Sequence, residues 1–381
     1  MNQTNTPITS MKPAIRVLIA IAATGVSLKA APFLAVGDSA ELFLTGTTGI
    51  RADDNILLAS NKTSDVIYNV APGFDFVYGH NALYSGHIYY QESWDFYSDN
   101  HKLNTDLSSV GLDGSYNDQK TKVHYAGSWA QLAQNTVDVR ANNLVRRDVG
   151  NVLLNGEVSV TDKSSIAAGV NYNTVDYKRA GFDSSKITEV PLDYYYEVTP
   201  KTDLSAGLTF RDTKLDTGID SKDYFYNIGA RGEFTPKLTG TVAVGYTVRD
   251  LSAGPSRNTF GIDSSLAYAL DEKTSVQFGV TNDFGVSGQG DTQRNLTATV
   301  GVQSKISPNL SVGTNLTYRS IQYFGTLGRS DDYFEGSVNA TYIVNAIVSF
   351  TGSYTYRDYS TKLVDSSFTN NVFAIAANFR Y

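Results

Sequence analysis

The sequence predicts an all-β fold, an antiparallel up-and-down transmembrane β-barrel of about 18 strands. Three observations carry this. Hydropathy alternates with period two through segments of ten or more residues, short turns recur at even spacing, and the last strand ends on an aromatic in apolar phase. Period two belongs to a strand whose faces meet different surroundings. In 346–358, Ala346, Val348, Phe350, Gly352, Tyr354 and Tyr356 share one face, against Ser349, Thr351, Ser353, Thr355 and Arg357. Leu204, Ala206, Leu208 and Phe210 alternate likewise with Ser205, Gly207, Thr209 and Arg211, and Val242, Val244, Tyr246 and Val248 with Thr241, Gly245, Thr247 and Arg249. Soluble strands are about half this length, whereas a tilted membrane strand needs about nine to eleven residues. No amphipathic helix is present to cover a buried apolar sheet, so apolar-out and polar-in explains both faces.

Taken along the chain, the first segment reads as an export signal. Lys12 and Arg16 supply positive charge, and Val17 to Leu28 form an apolar run too short to span a bilayer. Cleavage is expected near Ala30 or Gly37, which divides the chain into a signal over 1–37 and a barrel domain over 38–381. Short turns follow at Gly79-His80-Asn81, Asn117-Asp118-Gln119-Lys120, Thr161-Asp162-Lys163-Ser164, Thr199-Pro200-Lys201-Thr202, Thr235-Pro236-Lys237-Leu238, Asp271-Glu272-Lys273-Thr274, Ser307-Pro308-Asn309 and Val344-Asn345-Ala346. From 162 onward their centres lie 36 to 38 residues apart. Longer polar stretches separate them, an asymmetry of ends that outer-membrane barrels have. Eight turns leave nine long connections, hence 18 strands with both termini at the short-turn, periplasmic side. A different register over 82–150 would give 16, and a soluble β-solenoid or fibrous adhesin array is the rival repeat architecture. In the last strand Phe373, Ile375, Ala377, Phe379 and Tyr381 share one face. Phe373, Ile375, Phe379 and Tyr381 resemble the terminal signal that outer-membrane assembly machinery reads.

Composition sets limits on function. A net charge of −7 without a basic stripe argues against nucleic acid. The absence of cysteine excludes disulfides and thiolate chemistry. Aromatics at 12%, led by 25 tyrosines, suit the girdles of a membrane barrel. No cofactor or metal motif is present. His87 and His124 fall in inward phase near Asp95, the remnant of a case for a barrel hydrolase. His80 lies in a turn and His101 in a loop. The expectation is a protein that is not an enzyme.

The segment Arg51-Ala52-Asp53-Asp54-Asn55-Ile56-Leu57-Leu58 leads to Ser64-Asp65-Val66-Ile67 and Val70-Ala71-Pro72-Gly73-Phe74. This resembles the outer-membrane β-barrel porin 2 family, whose members share an Asp-Asn-Ile loop, an Asp before the second strand and a Pro-Gly pair within it. The Pro-Gly pair suggests a bulge. The resemblance implies an outer-membrane location, and some members resemble components of capsule or exopolysaccharide export.

The inward face suggests a charged lumen. Arg211, Arg249, Arg319 and Arg357 each fall 11 to 13 residues beyond a turn centre in polar phase, and Arg51 takes the matching place on the first strand. They are expected to form a pore-lining basic ring that selects anions or acidic sugars. The alternatives are local pairing with Asp212, Asp250 and Asp358, or contact with lipopolysaccharide phosphates. Asp75, Asp113, Glu157, Glu197 and Glu233 are expected to form pore-lining acids near the short turns. Inward Tyr89 and Tyr195 would be able to stack on sugars. The expected function is diffusion of hydrophilic solutes, small molecules or exopolysaccharide, through a polar lumen, since barrels of 16 to 18 strands leave a channel unless plugged. The longest loops have about a dozen residues, which argues against a large plug. A structural or adhesive surface barrel is the alternative. Expected partners are outer-membrane lipid and lipopolysaccharide, the assembly machinery and the solute, with a homotrimer as one assembly state.

Overall fold

A computed structural model describes residues 31–37, 39–79, 82–324 and 328–381. Most of the expected signal segment, together with His80 and Asn81, lies outside the described residues. A short strand β1 (Leu34–Val36) precedes β2 (Ala40–Asp53), β3 (Asp65–Tyr78), β4 (Tyr84–Tyr97), β5 (Thr105–Asn117), β6 (Thr121–Ala133), β7 (Arg146–Thr161), β8 (Ser164–Tyr177), β9 (Ser185–Thr199) and β10 (Thr202–Leu215). The chain continues through β11 (Ser221–Thr235), β12 (Leu238–Leu251), β13 (Arg257–Ala269), β14 (Thr274–Val286), β15 (Thr292–Lys305), β16 (Leu310–Tyr323), β17 (Ser330–Ile343), β18 (Val348–Ser360) and β19 (Phe368–Arg380). Each strand from β2 to β19 pairs antiparallel with the next, and β19 pairs back onto β2 from Arg380↔Thr45 to Val372↔Asp53. The result is a closed 18-stranded barrel, the expected architecture, with β1 as an extra strand.

Closure gives every strand of the ring two neighbours, as a sheet in lipid requires. Below β19, Tyr381 and Leu44 exchange backbone hydrogen bonds of 2.9 and 2.6 Å. There β1 pairs with β2 through Leu34↔Leu42, and the ring of Phe33 meets Tyr381 edge-on at 6.3 Å. The wall is apolar outside. Ile228 is 66% exposed and Ile375 62%, and Val110, Leu192, Tyr226 and Phe373 are exposed with them. Such exposure in so many large apolar side chains fits a face solvated by lipid.

Five of the eight short turns share one device. The side chain opening the turn accepts hydrogen bonds from backbone N–H groups two and three residues on, which fixes the reversal. Asp118 Oδ1 takes the amides of Lys120 and Thr121 at 2.7 and 2.6 Å, and Asp271 Oδ1 those of Lys273 and Thr274 at 2.8 and 2.7 Å. Asn345 and Ser307 do the same. The Thr121 and Lys120 amides hold the Asp118 carboxyl below the usual carboxylate range, and the Lys273 and Thr274 amides do so for Asp271.

The Pro72-Gly73 pair makes no bulge. The β3–β4 register runs unshifted from Val70↔Trp94 to Gly73↔Gln91 and merely lacks pairs at Ala71 and Pro72. Proline removes a donor, and the sheet absorbs this without an extra residue. Register shifts occur instead beside three short turns, at Ser159/Thr161, Thr202/Asp203 and Glu233/Thr235.

Candidate pore and its mouth

The inner wall carries the polar phase of each strand. At mid-height amides and hydroxyls lie along the wall. Asn151 Nδ2 donates to Asn171 and Asn173 Oδ1 at 2.9 and 2.7 Å, and Asn69 Nδ2 to Ser93 Oγ and Asp95 Oδ1 at 2.9 and 2.7 Å. Glycines make room for side chains to lie flat. A Cβ on Gly111 would sit 2.5 Å from the Tyr89 ring, and one on Gly169 would sit 1.9 Å from Asn155 Oδ1. Glycine thus leaves lumen space to its polar neighbours at this level, where Asp95 and Asp193 stand among the amides and hydroxyls.

The short-turn half holds the acids, each placed on the lumen face. Asp75 meets Arg380 at 2.8 Å, Glu233 meets Lys201 at 2.7 Å, and Asp113 lies 3.5 Å from His124 Nε2. Glu157 binds Arg231 through both oxygens at 2.8 and 2.6 Å and accepts from Ser165 at 2.6 Å. Glu197 is half-buried, its backbone N–H donating to Lys163. Arg231 also binds Asp203 at 2.9 Å, with its guanidinium 3.4 Å above the Tyr195 ring. That face of Tyr195 is thus occupied by a cation. His87 stacks on Tyr89, their centroids 6.0 Å apart.

The long-loop half is built differently. The β6–β7 connection, 134–145, does not rise away from the rim but crosses the mouth. Its base is held by Arg147 Nη1 donating to Gln134 O at 2.9 Å. Thr136 and Val139 exchange backbone hydrogen bonds of 2.8 and 3.1 Å and make a tight turn. Beyond it Asp138 binds Arg319 on β16 with a bidentate pair, 2.7 and 3.2 Å. Arg140 Nη1 donates to Ser366 O at 2.5 Å, its guanidinium lying 4.2 Å over the Tyr359 ring. Val137 packs with Leu58, Ile321, Tyr323, Tyr359 and Phe368. Counted around the wall from β2, β7 is the sixth strand and β16 the fifteenth. Nine steps in a ring of 18 is half a circumference, so the Asp138–Arg319 pair ties opposite sides of the wall.

The basic side chains sit around this bridge, all five on the lumen face, and each is paired. Arg51 meets Asp95 at 3.5 Å, and Arg357 meets Glu335 and Asn370, both at 2.8 Å. Arg249, 1% exposed, holds Asp223 at 2.6 and 2.7 Å, and Arg211 holds both Asp223 and Asp283. None of these partners is the following aspartate. Asp212, Asp250 and Asp358 are one residue along, on the outer face of the same strands. Sequence reading missed Asp138, Asp223, Asp283 and Glu335, and placed Asp95 beside the histidines rather than with Arg51. The register of facing strands identifies two of them, since Arg211 and Arg249 both stand opposite Asp223, and Arg357 stands opposite Glu335.

Two further supports come from the 53–65 region. Asn55, fully buried, donates to Ala59 O and Thr369 O at 2.8 and 2.9 Å. Asp65 accepts four backbone amides, those of Val66, Ser98, Asp99 and Asn100, at 2.7 to 3.1 Å. Burial works against the charge of Asp54, but Lys62 at 2.7 Å and the Asn371 amides outweigh it and hold that carboxyl below the usual carboxylate range.

A family model described as "Putative beta-barrel porin 2" matches residues 32–381. No curated protein matches the chain. Among solved structures, OccAB3 of Acinetobacter baumannii aligns with TM-score 0.48 and 10% identity over 91% of this chain and 100% of that one. OccK1 (OpdK) of Pseudomonas aeruginosa aligns with TM-score 0.47 and 10% identity over 90% and 99%. The FrpB iron transporter of Neisseria meningitidis aligns with TM-score 0.45 and 10% identity over 84% and 62%.

Proposed function

Because the chain belongs to the β-barrel porin 2 family and is an outer-membrane barrel of porin type, we propose that it passes small hydrophilic solutes by diffusion. The observation that carries this reading is the contrast between the two halves of the lumen. A wall mostly of asparagine, serine, threonine and glycine leads up to a mouth that the 134–145 bridge crosses. In this reading the wall below imposes little selection, and the bridged mouth sets the size limit. A bridge across the diameter favours small solutes over a polysaccharide chain, whose export would require the bridge to leave its seat. Every arginine of the ring is paired with an acid, so the mouth presents alternating charges rather than a uniform basic field.

In this reading both termini are periplasmic, the N-terminal segment up to Ala30 or Gly37 leaves as the export signal, and the alternating strand ending at Tyr381 is recognised during assembly. A homotrimer is compatible with the apolar outer face of the barrel. The experiment is single-channel recording of purified protein in planar bilayers. Discrete conductance steps that small sugars pass through, measured in parallel by liposome swelling, are expected. Near-zero conductance with intact barrel structure would sink the channel reading in favour of a surface-binding barrel.

A further inference from the structure

The wall is not continuous to its rim. The β13–β14 ladder stops at Ile262↔Asn282, although β13 extends to Arg257 and β14 to Val286. Continuing the register would set Gly261 against Asp283, Phe260 against Phe284, Thr259 against Gly285 and Asn258 against Val286. Neither stretch contains proline, so no missing donor forces the break. Along the split each strand keeps its other neighbour up to the rim. Arg257 still pairs with Arg249 on β12, and Val286 with Thr292 on β15. The β14–β15 tip has therefore left the wall as a unit and tucked inward behind β13.

Guanidinium groups take the place of the missing ladder. Arg211 reaches from β10 to the Asp283 carboxylate at 2.7 and 3.2 Å and donates to Phe284 O at 3.2 Å. Arg249 donates to Gly285 O at 2.8 Å and lies 4.9 Å over the Phe284 ring. On the abandoned edge the Asn282 side chain donates to Phe260 O at 2.5 Å. The tip also carries the bridge, since Gly288 N donates to Asp138 O at 3.2 Å.

The sequence of the tip is written for the wall. Phe284 and Val286 continue the outward apolar phase of Val276, Phe278 and Val280, yet Phe284 is only 3% exposed. In the wall it would face lipid beside Phe260, a cross-strand aromatic pair of the kind that stabilises antiparallel sheets. The tip thus has two chemically complete seats. One is tucked, held by Arg211 and Arg249. The other is zipped, held by four more ladder pairs and two lipid-facing rings. We propose that this tip is a flap exchanging between the two, and that a solute bearing a carboxylate or phosphate drives the exchange by displacing Asp283 from Arg211. The inference rests on the channel reading and adds its regulation: an anionic solute opens the mouth it is to cross.

The natural chain has no cysteine, so an introduced pair reports without background. T259C/G285C and N258C/V286C match the zipped register on the two faces of the ladder. Copper-phenanthroline oxidation of outer-membrane vesicles carrying the mature barrel is expected to close at least one pair, faster with inorganic phosphate than with glucose. Conductance of the oxidised protein should rise severalfold and fall back on reduction. Asp283→Asn, introduced beside the cysteines, should make closure independent of phosphate. Failure of both pairs to close in a barrel that still conducts overturns the flap and leaves the channel reading intact. Equal closure with phosphate and glucose overturns the role of the anion. Closure with phosphate in a barrel that never conducts supports the flap and defeats the channel.

Discussion

At the residue scale, the mouth is governed by alternation. Neighbouring residues on a strand point to opposite sides, so an Arg-Asp dipeptide cannot pair with itself across the wall. Each lumen arginine must find an acid on another strand or loop. Asp223 illustrates the cost of failing. It is 2% exposed and accepts from both Arg211 and Arg249. Arg249→Met would keep the volume but leave that carboxylate with half its compensation, and removing one partner of a buried pair typically costs about 3–5 kcal/mol. A drop of that order is expected in urea unfolding of the barrel in lipid vesicles. A change within experimental error would show that water already solvates Asp223. Asn55 is a neutral counterpart. Its amide ties the first long loop to β19, and its own carbonyl accepts Leu58 N at 3.0 Å where Leu58 takes a φ of 51°. Asn55→Ala removes the donor to Thr369 O and Ala59 O and the Oδ1 that accepts Ala59 N at 3.0 Å, a loss of about 1–3 kcal/mol. Slower closure of the β19–β2 seam should follow, read as a longer-lived unfolded band during refolding into liposomes. Unchanged refolding would mean that the loop is dispensable for closure.

At the element scale, what could be read from the sequence was whatever repeats locally. The strands were legible because each carries its own period, and the turns because an Asp, Asn, Ser or Thr opens each of the capped ones. The 18-strand count followed from those two signals together, and the closed barrel agrees with it. The bridge was not legible. Residues 134–145 are polar and of ordinary loop length, and nothing local distinguishes a loop that stands up from one that folds in. The signal is Val137 and Val139 flanking Asp138, with Ala141, Leu144 and Val145 after them, in a loop otherwise of Gln, Asn, Thr and Arg. Two valines that a solvated loop would not bury are here 9% and 4% exposed. The loop docks chiefly through Asp138, so Asp138→Ala should release its far end from Arg319. Larger mean conductance and added current noise on the microsecond to millisecond scale of loop motion are expected in single-channel records. A trace identical to the parent would mean that Arg140 and the Val137 contacts hold the bridge unaided.

At the scale of the whole molecule, the two ends of the barrel solve different problems. Small turns closed by their own side chains need no partner across the lumen. Long loops cannot satisfy their backbone in isolation, and here they do so by binding one another across the mouth: Asn135 to Leu57 O at 2.8 Å, Arg140 to Ser366 O, Gly288 to Asp138 O, and Asp183 N to Gly288 O at 2.9 Å. The fully buried Asn55, Val145, Ile321, Asp331 and Asn370 all lie in this half. The barrel is thus a cup rather than a tube of constant bore, and its access should be directional. A neutral polymer just smaller than the mid-lumen would enter from the short-turn side and lower the conductance. The same polymer on the long-loop side would be stopped at the bridge. With protein inserted in one orientation, graded polyethylene glycols added to one chamber at a time measure this difference. A larger cut-off size from the short-turn side is expected, and Asp138→Ala should shrink the gap between the two. Equal cut-offs from both sides in the parent protein would show that the bridge does not narrow the path, and the size limit would then have to be sought in the wall itself.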